Sequence, residues 1–334
     1  MITWRAMFSA SAGMCLAVSC GIAAAEAAKC KLAKVAEWPV RIERNMLLVD
    51  GAIDGKPVDV MLDTGATRTL IFRTAATRIG LDAAGTRNYR MFGVGGETRI
   101  DSAMVDEFRV GDFVRKNWRM FIAGEWNFGA DVLLGEDFLQ NVDIEFDLAH
   151  NAIRLFVPEN CGGMALAYWA SDGLGEVEMD AVHAGSPQIT LTVRINGQSL
   201  RAILDSGASL SVLGKSEAAR LGVTPETPGV VAAGRSAGLG SKTVASWIGP
   251  FASFAIGNET IRNTEIRFAD LFKDAKYSVI GSHIPTKVEG LPQMLLGVDF
   301  LRSHRVLIAH SQRMIYFTHN GGPVFQQTPA PAAK

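Results

Sequence analysis

Val60-Met-Leu-Asp-Thr-Gly-Ala66 is an apolar run that leads one acidic residue into a tight Thr-Gly turn, and the chain contains this pattern twice. Ala202-Ile-Leu-Asp-Ser-Gly-Ala208 repeats the apolar run, the acid, the hydroxyl, the glycine and the alanine in the same order, 142 residues downstream. A repeat at a fixed offset indicates duplicated structural units. One chain therefore presents two equivalent carboxylates, Asp63 and Asp205.

The same offset holds on both sides of these stretches. Asp54-Gly55 and Asn196-Gly197 precede the two acids at equal distances, and such pairs between apolar runs predict a two-residue β-hairpin turn. Downstream, residues 74–80 and 216–222 each predict a short helix with a hydroxyl N-cap and a glycine stop. In both halves the acid thus follows a hairpin strand and precedes a helix.

A second pair of matching stretches lies further along each half. Leu133-Leu-Gly-Glu-Asp-Phe-Leu139 matches Leu295-Leu-Gly-Val-Asp-Phe-Leu301 at an offset of 162 residues, so the second half carries 20 additional residues before it. The additional residues fall near positions 273–293. A surface insertion is the favoured interpretation, because loops tolerate added length at small entropic cost. A specificity loop is the alternative.

These residues resemble the retropepsin-like aspartic protease family, with two copies of the retroviral-type fold in one chain. Asp63-Thr-Gly-Ala-Thr67 and Asp205-Ser-Gly-Ala-Ser209 resemble the catalytic signature. The two Leu-Leu-Gly runs resemble the second signature, which packs behind the catalytic loop. The resemblance covers most of the chain and implies an all-β fold. We expect two tandem closed β-barrel lobes related by a pseudo-twofold axis, with short helices after the catalytic loops and after the Leu-Leu-Gly motifs.

The resemblance also implies that Asp63 and Asp205 are the catalytic pair. Two carboxylates that share a site hold one proton between them, and aspartic proteases are the best-known case. The ionised member can take a proton from water while the protonated member donates to the scissile carbonyl. By resemblance, the Thr64 and Ser206 hydroxyls would hydrogen-bond across the pseudo-twofold axis. The supporting loop residues are Thr64, Gly65, Ala66, Ser206, Gly207 and Ala208.

A glycine-rich stretch lies between the two signatures in each half. Gly93-Val-Gly-Gly96 would need a strand before it, a long helix after it and a βαβ context to bind a dinucleotide, and the residues that follow it do not predict a helix. In the family, this position carries the mobile flap that closes over substrate, and residues 234–240 hold the same place in the second half. Ordinary hairpin turns are the alternative. The expected flap residues are Gly93, Gly95, Gly96, Gly238 and Gly240.

The N-terminus predicts export. Residues 1–27 combine a weak positive start, an apolar stretch and small residues suited to cleavage, as in a signal peptide. An uncleaved membrane anchor and lipidation at Cys20 remain alternatives. Removal of the signal leaves Cys30 and Cys161, and an even pair in an exported protein predicts a disulfide; two unpaired buried thiols are the alternative. The expected location is the periplasm of a Gram-negative bacterium.

Length and composition support two domains. A chain of 334 residues with 48% hydrophobic residues can bury a core in each half. The expected boundaries are a signal peptide at 1–27, an N-terminal segment at 28–44, a first lobe at 45–160, a linker at 161–187, a second lobe at 188–318 and a disordered tail at 319–334.

Several classes of function are disfavoured. A formal net charge of −1 argues against a nucleic-acid partner. The six histidines show no metal-ligand spacing, and neither Ser206 nor Ser209 lies in a Gly-x-Ser-x-Gly elbow. We therefore expect neither a metal nor another cofactor. The prediction is a monomeric aspartic endopeptidase with an internal pseudo-dimer, acting on extended peptides or proteins; a non-catalytic peptide-binding protein on the same scaffold is the alternative.

Overall fold

The computed structural model describes residues 29–124, 129–181, 188–240, 242–271, 276–277, 286–287 and 291–325. The signal-peptide prediction for residues 1–27, including Cys20, lies outside these residues. So do the end of the predicted tail and most of the predicted insertion.

The described part of the first half is built mainly from strands, with two short helices and a 3-10 turn at Leu148–His150. Its elements are β1 (Lys31–Pro39), β2 (Arg41–Glu43), β3 (Met46–Ile53), β4 (Lys56–Leu62), β5 (Leu70–Phe72), α1 (Arg73–Ile79), β6 (Ala84–Gly93), β7 (Gly96–Val110), β8 (Phe113–Ala123), β9 (Val132–Leu134), α2 (Glu136–Leu139), β10 (Asp143–Asp147) and β11 (Ala152–Glu159).

The described part of the second half follows a similar order of elements, with two additional short strands at residues 276–277 and 286–287. It contains β12 (Gly175–Glu178), β13 (Thr190–Ile195), β14 (Gln198–Leu204), β15 (Val212–Gly214), α3 (Lys215–Arg220), β16 (Val231–Ala237), β17 (Thr243–Ile256), β18 (Glu259–Ala269), β19 (Lys276–Tyr277), β20 (Thr286–Lys287), β21 (Met294–Leu296), α4 (Val298–Ser303), β22 (His304–Ala309) and β23 (Met314–His319).

Each half closes into a six-stranded barrel. In the first lobe the strands follow the order β3-β4-β9-β5-β8-β7, and β3 also pairs with β7, which closes the ring. In the second lobe the order is β13-β14-β21-β15-β18-β17, and β13 pairs with β17. Closure removes the exposed sheet edge, and alternate residues of each strand then face the barrel interior. The predicted all-β fold of two tandem barrel lobes is confirmed.

The hairpin that precedes each acid forms as the sequence predicts. Asp54 and Gly55 have positive φ angles of 48° and 75°, and Asn196 and Gly197 have angles of 49° and 78°. Two successive positive φ angles define the tight hairpin turn that Asp-Gly and Asn-Gly pairs adopt most readily. Strands β4 and β14 therefore start from equivalent turns and end at equivalent acids.

The predicted hydroxyl N-caps of the first helix in each lobe are wrong. Helix α1 begins at Arg73 and α3 at Lys215, so Thr74 and Ser216 lie inside the first turn, and no side chain caps either helix. The helices start directly from β5 and β15, whose backbones the barrel already holds in place. The glycine stop of α1 is confirmed, because Gly80 adopts the left-handed conformation at the C-cap.

A third sheet joins the two halves. Its order is β1-β11-β10-β22-β23-β12, so strands from the two halves, β10 and β22, lie beside one another. The 28–44 segment supplies β1, and the 161–187 segment supplies β12. A disulfide between Cys30 and Cys161 connects the start of β1 to the chain just after β11, which confirms the predicted pairing. Among the described residues, no helix is long and apolar enough to cross a membrane.

Candidate active site

The two acids stand at the ends of β4 and β14, on turns that the Leu-Leu-Gly strands hold from behind. The Asp63 amide donates to the Leu134 carbonyl oxygen at 3.0 Å, and the Asp205 amide donates to the Leu296 carbonyl oxygen at 2.9 Å. Strands β9 and β21 run parallel to β4 and β14. The Leu-Leu-Gly motif of each half thus holds the backbone of the acid in a fixed position.

Hydroxyl groups join the Asp63 and Asp205 loops across the lobe boundary. Thr64 Oγ1 donates to the Leu204 carbonyl oxygen at 2.6 Å, and Ser206 Oγ donates to the Leu62 carbonyl oxygen at 2.9 Å. Each hydroxyl also accepts a 3.0 Å hydrogen bond from the backbone amide of the other residue. Both side chains are fully buried. Four reciprocal hydrogen bonds therefore join segments that lie 142 residues apart.

Each catalytic-loop glycine faces the acid of the other lobe. A β-carbon built on Gly65 would lie 2.4 Å from the Asp205 carboxyl carbon, and one on Gly207 would lie 2.3 Å from that of Asp63. Because these distances are shorter than any contact a real β-carbon makes, positions 65 and 207 have no room for a side chain. The Gly65 carbonyl oxygen also accepts a 2.9 Å hydrogen bond from Gln188 Nε2, a contact from the second lobe. The two carboxylates therefore meet at one site on the pseudo-twofold axis.

The environment of the two carboxyls differs. Asp63 Oδ1 accepts a hydrogen bond from the Gly65 amide at 2.9 Å, whereas Asp205 Oδ1 accepts from both the Gly207 and Ala208 amides at 2.9 and 3.0 Å. Burial raises the pKa of Asp63 well above its ordinary value and the charge of Asp205 raises it further, while the Gly65 and Ala66 amides oppose this shift. Burial also raises the pKa of Asp205, but the Gly207 and Ala208 amides and a hydrogen bond from Asp63 oppose this shift. The stronger upward shift at Asp63 favours this member of the pair as the holder of a shared proton.

A family model described as aspartyl protease matches residues 49–138 and, a second time, residues 191–300. The chain belongs to the aspartyl protease family. The two matched regions contain Asp63 and Asp205 and confirm the resemblance to a duplicated retropepsin-like protein. No curated protein matches the chain.

In this family member, a further pair of equivalent contacts supports the loops. Asp137 Oδ1 accepts hydrogen bonds from the Thr69 amide and hydroxyl at 2.8 and 2.7 Å, and Asp299 Oδ1 accepts from those of Ser211 at 2.8 and 2.6 Å. The sequence interpretation missed Thr69 and Ser211. Both stand six residues after an acid, so a comparison of the two halves could have found them.

The predicted flap glycines lie where the two hairpin tips of this protease scaffold touch. Hairpins β6–β7 and β16–β17 carry the two tips, and Gly95 pairs with Gly240 as a parallel bridge. The Gly95 amide donates to the Leu239 carbonyl oxygen at 2.9 Å. A β-carbon on Gly93 would lie 2.6 Å from the β-carbon of Leu239, and one on Gly238 would lie 2.9 Å from that of Val94. The backbones of the two tips are therefore in direct contact. Gly96, at the start of β7, takes part in this contact, because a β-carbon on Gly240 would lie 2.8 Å from the Gly96 nitrogen.

An apolar face of the first lobe extends from the catalytic loop to the second flap tip. We name this face the lobe-one cleft cluster, and the space that it borders below the flaps the cleft. Its buried members are Met46, Leu48, Met61, Leu70, Phe72, Ile100, Ala123, Ala130 and Leu133, and the partly buried Ala66, Met91, Phe121 and Leu239 pack against them.

A buried acid behind the dyad has no counterpart in the second lobe. Glu136 follows the first Leu-Leu-Gly motif where Val298 follows the second, and its exposed fraction is 0%. Within the described chain, no group hydrogen-bonds to either carboxyl oxygen of Glu136. His310 Nε2 lies 3.7 Å away. The sequence interpretation missed Glu136, although the contrast between the two motifs could have revealed it.

Burial favours the neutral forms of Glu136 and His310. Loss of solvent raises the pKa of Glu136 well above its ordinary value, and the charges of Asp63 and Asp137 raise it further. Burial lowers the pKa of His310 to about 4. Burial therefore favours the protonated carboxylic acid at Glu136 and the neutral imidazole at His310. Among the described residues, no group of three or more His, Cys, Asp or Glu side chains could hold a metal ion.

Proposed function

We propose that the protein is an aspartic endopeptidase that hydrolyses peptide bonds in extended substrates, with Asp63 and Asp205 as its catalytic residues. One observation carries this proposal: each carboxyl lies against the loop glycine of the other lobe, and both have raised pKa values. Close carboxyls that share a proton can act together as acid and base. A pair of capping acids in separate turns would have no reason to meet.

The asymmetry of the pair assigns a role to each acid. Asp205 is the ionised member, because the pKa of Asp63 is raised more strongly than that of Asp205, and it takes a proton from the attacking water. Asp63 holds the shared proton and donates it to the carbonyl oxygen of the scissile bond. The resulting tetrahedral intermediate contains no covalent bond to the enzyme. Its collapse breaks the carbon–nitrogen bond as the amine receives a proton.

The flaps are proposed to hold the substrate over the dyad. The two tips contact each other through backbone hydrogen bonds, including one from the Lys242 amide to the Gly95 carbonyl oxygen at 3.0 Å. Entry of a peptide requires these tips to separate. Backbone amides and carbonyls released in this way can then pair with an extended peptide, as an added strand does.

The protein is proposed to act as an exported monomer in an oxidising compartment such as the periplasm. The Cys30–Cys161 disulfide supports export, because such bonds persist in oxidising environments. One chain supplies both carboxyls, so the dyad needs no second copy.

Digestion of a peptide library tests the proposal. We expect the wild-type protein to cleave extended peptides at internal bonds, identified by mass spectrometry of the products. Asp63→Asn and Asp205→Asn should each abolish cleavage while circular dichroism shows an intact fold. Asp106→Asn, a change at an exposed site, is the matched control. Substantial cleavage by either dyad variant would exclude a shared site, and no cleavage by the wild type would favour a peptide-binding protein.

A further inference from the structure

The two halves of the cleft differ in chemistry. Strand β5 pairs with β8 so that Leu70 lies opposite Phe121, a member of the lobe-one cleft cluster. The equivalent pair in the second lobe joins Val212 of β15 to Arg267 of β18. A cation therefore occupies the position that an aromatic ring occupies in the first lobe.

A second position shows the same change. Leu48 lies opposite Met61 in the first lobe, and Thr190 lies opposite Ile203 at the equivalent place in the second lobe. Leu48 and Met61 both belong to the lobe-one cleft cluster. At this position the second lobe thus carries the polar Thr190 where the first lobe carries the apolar Leu48. At these two positions the second lobe is therefore polar where the first lobe is apolar.

Arg267 is held by the base of the second flap. Its Nη1 atom donates to the Ala233 carbonyl oxygen at 2.8 Å and to Ser246 Oγ at 2.9 Å. These residues lie on β16 and β17, the two strands of the flap hairpin. The exposed fraction of Arg267 is 6%. The flap therefore both orients the guanidinium and covers it.

One edge of the guanidinium remains available. Among the described residues, neither Nε nor Nη2 of Arg267 has a hydrogen-bond partner. These two nitrogens lie on the same edge of the planar group, and that edge can bind both oxygens of a carboxylate by parallel hydrogen bonds. A buried charged donor without a partner is energetically unfavourable. A ligand carboxylate would remove this penalty.

The nearby acid Asp299 makes no hydrogen bond to Nε or Nη2 of Arg267. Its Oδ1 atom accepts hydrogen bonds from Ser211 and from the Phe300 amide. The charge of Asp299 supports the protonated form of Arg267, while burial lowers the pKa of the guanidinium. Arginine stays charged under ordinary conditions despite such shifts. The site therefore offers a permanent positive charge beneath the base of the second hairpin.

We propose that Arg267 is a specificity-determining residue that binds a carboxylate of the peptide substrate in the second-lobe half of the cleft. This inference rests on the proposed function, since it names the substrate class of that same cleft. The carboxylate is either an Asp or Glu side chain or the C-terminal group of the peptide. Opening of the flap exposes the free edge of the guanidinium, and closure buries the ion pair.

Peptide binding tests this assignment separately from catalysis. The Asp63→Asn protein is screened against a randomised eight-residue peptide library, and calorimetry then measures the affinity of the best binders. Each binder is compared with versions in which Glu becomes Gln or Asp becomes Asn, and in which the C-terminal acid becomes an amide. We expect one of these neutral versions to bind about 10-fold to 100-fold more weakly, as loss of a charge-assisted hydrogen-bond pair implies.

Variants of the arginine locate the effect. Arg267→Met in the Asp63→Asn background should remove the preference for the carboxylate, and Arg267→Lys should restore only part of it because a lysine lacks the two-donor edge. Arg262→Met, on the exposed side of the same strand, is the matched control and should keep the full preference. The readout is the ratio of affinities for each acid and neutral pair.

Two results would overturn the assignment. One is that the Asp63→Asn protein binds acid and neutral peptides with equal affinity, or binds no peptide. This measurement requires no substitution at Arg267. The other is an acid preference that survives in a folded Arg267→Met protein. If the carboxylate preference depends on Arg267 but the wild-type protein cleaves none of the bound peptides, the inference stands and the proposed endopeptidase activity fails.

Discussion

Gly65 lies so close to Asp205 that a β-carbon at position 65 would stand 2.4 Å from the Asp205 carboxyl carbon. The backbone of the glycine in one lobe therefore packs directly against the carboxyl group of the other lobe. The reciprocal contact between Gly207 and Asp63 repeats it across the axis. The spacing of the two carboxyls therefore depends on the absence of two side chains.

Gly65→Ala should abolish peptide cleavage by forcing the carboxyls apart. The added methyl group overlaps the Asp205 carboxylate, and separation of the pair lowers the energy of ionising both acids. We expect kcat/KM to fall at least 100-fold, since misplacement of a catalytic group by about 1 Å has effects of that order. Gly162→Ala is the control, because a β-carbon there meets no atom within 4 Å. Activity within a few-fold of wild type in Gly65→Ala would contradict the geometry.

The Thr64 hydroxyl should contribute to the stability of the whole molecule. Thr64→Val keeps the shape of the side chain but leaves the Leu204 carbonyl and the Ser206 amide without their partner. Buried groups left in this way destabilise by roughly 1–3 kcal/mol each. Urea unfolding should therefore show a large decrease in the free energy of unfolding. Thr64→Ser retains the hydroxyl and should stay near wild type; equal losses in both variants would point to packing.

How much of this architecture the sequence predicts depends on whether the contacts are local. The Asp54-Gly55 turn and the Gly80 helix stop follow from backbone preferences of the residues themselves, and both are confirmed. The duplication predicted two equivalent units because each motif recurred in order, and the family resemblance implied that each unit is a barrel. The N-caps failed at Thr74 and Ser216, because the preceding strands determine where the helices begin.

The sheet that joins the lobes could not be predicted from local patterns. Its central pairing places Ile144 opposite Ile308, two residues far apart in the chain. The roles of Glu136 and Arg267 were also missed, since each becomes unusual only beside its equivalent in the other lobe. Comparison of the halves residue by residue would have identified both as positions where the pseudo-symmetry breaks.

Glu136 should make the protein less stable as the pH rises. Its pKa is raised in the folded state, so the unfolded chain releases this proton first, from about pH 4.3 upward. The folded state then binds more protons than the unfolded state, and the free energy of unfolding falls with pH by at most about 1.4 kcal/mol per unit. Glu136→Gln removes this dependence.

The difference between wild type and Glu136→Gln tests this expectation. Urea unfolding from pH 4 to pH 7.5 should show the Gln variant gaining stability relative to wild type as the pH increases. Glu226→Gln, at an exposed position, should show no such trend. A constant difference across this range would mean that Glu136 ionises alike in the folded and unfolded chains.

Loss of the disulfide should destabilise the sheet that joins the lobes. The bond closes a loop with a sequence separation of 131 residues, and chain-entropy arguments assign such loops about 4–5 kcal/mol as an upper value. A Cys30→Ser and Cys161→Ser double variant should therefore unfold at lower urea concentration. Mass spectrometry of the non-reduced protein provides the companion test, and two free thiols would refute the bond.

The pH dependence of activity should reflect the missing hydroxyls beside the dyad. Ala66 and Ala208 follow the loop glycines, and neither side chain can donate to an ionised acid, whereas pepsin-like lobes usually carry Ser or Thr there. Burial raises the pKa of both Asp63 and Asp205. Activity requires one proton on the pair, so ionisation of the first carboxyl sets the acidic limb and loss of the shared proton sets the basic limb. We expect an optimum at roughly pH 5–6.

Hydroxyl groups added at these positions should move that optimum toward acid. In an Ala66→Thr and Ala208→Thr double variant, each new donor stabilises the charged form and lowers the carboxyl pKa values, which shifts both limbs of the kcat/KM profile downward. The Ala66→Val and Ala208→Val double variant has the same shape without a donor, so it controls for packing and should keep the original limbs. The profile is measured from pH 2 to pH 9 on one peptide. A wild-type optimum near pH 2–3, or equal shifts in the Thr and Val variants, would show that side-chain hydroxyls do not set the proton affinity of this dyad.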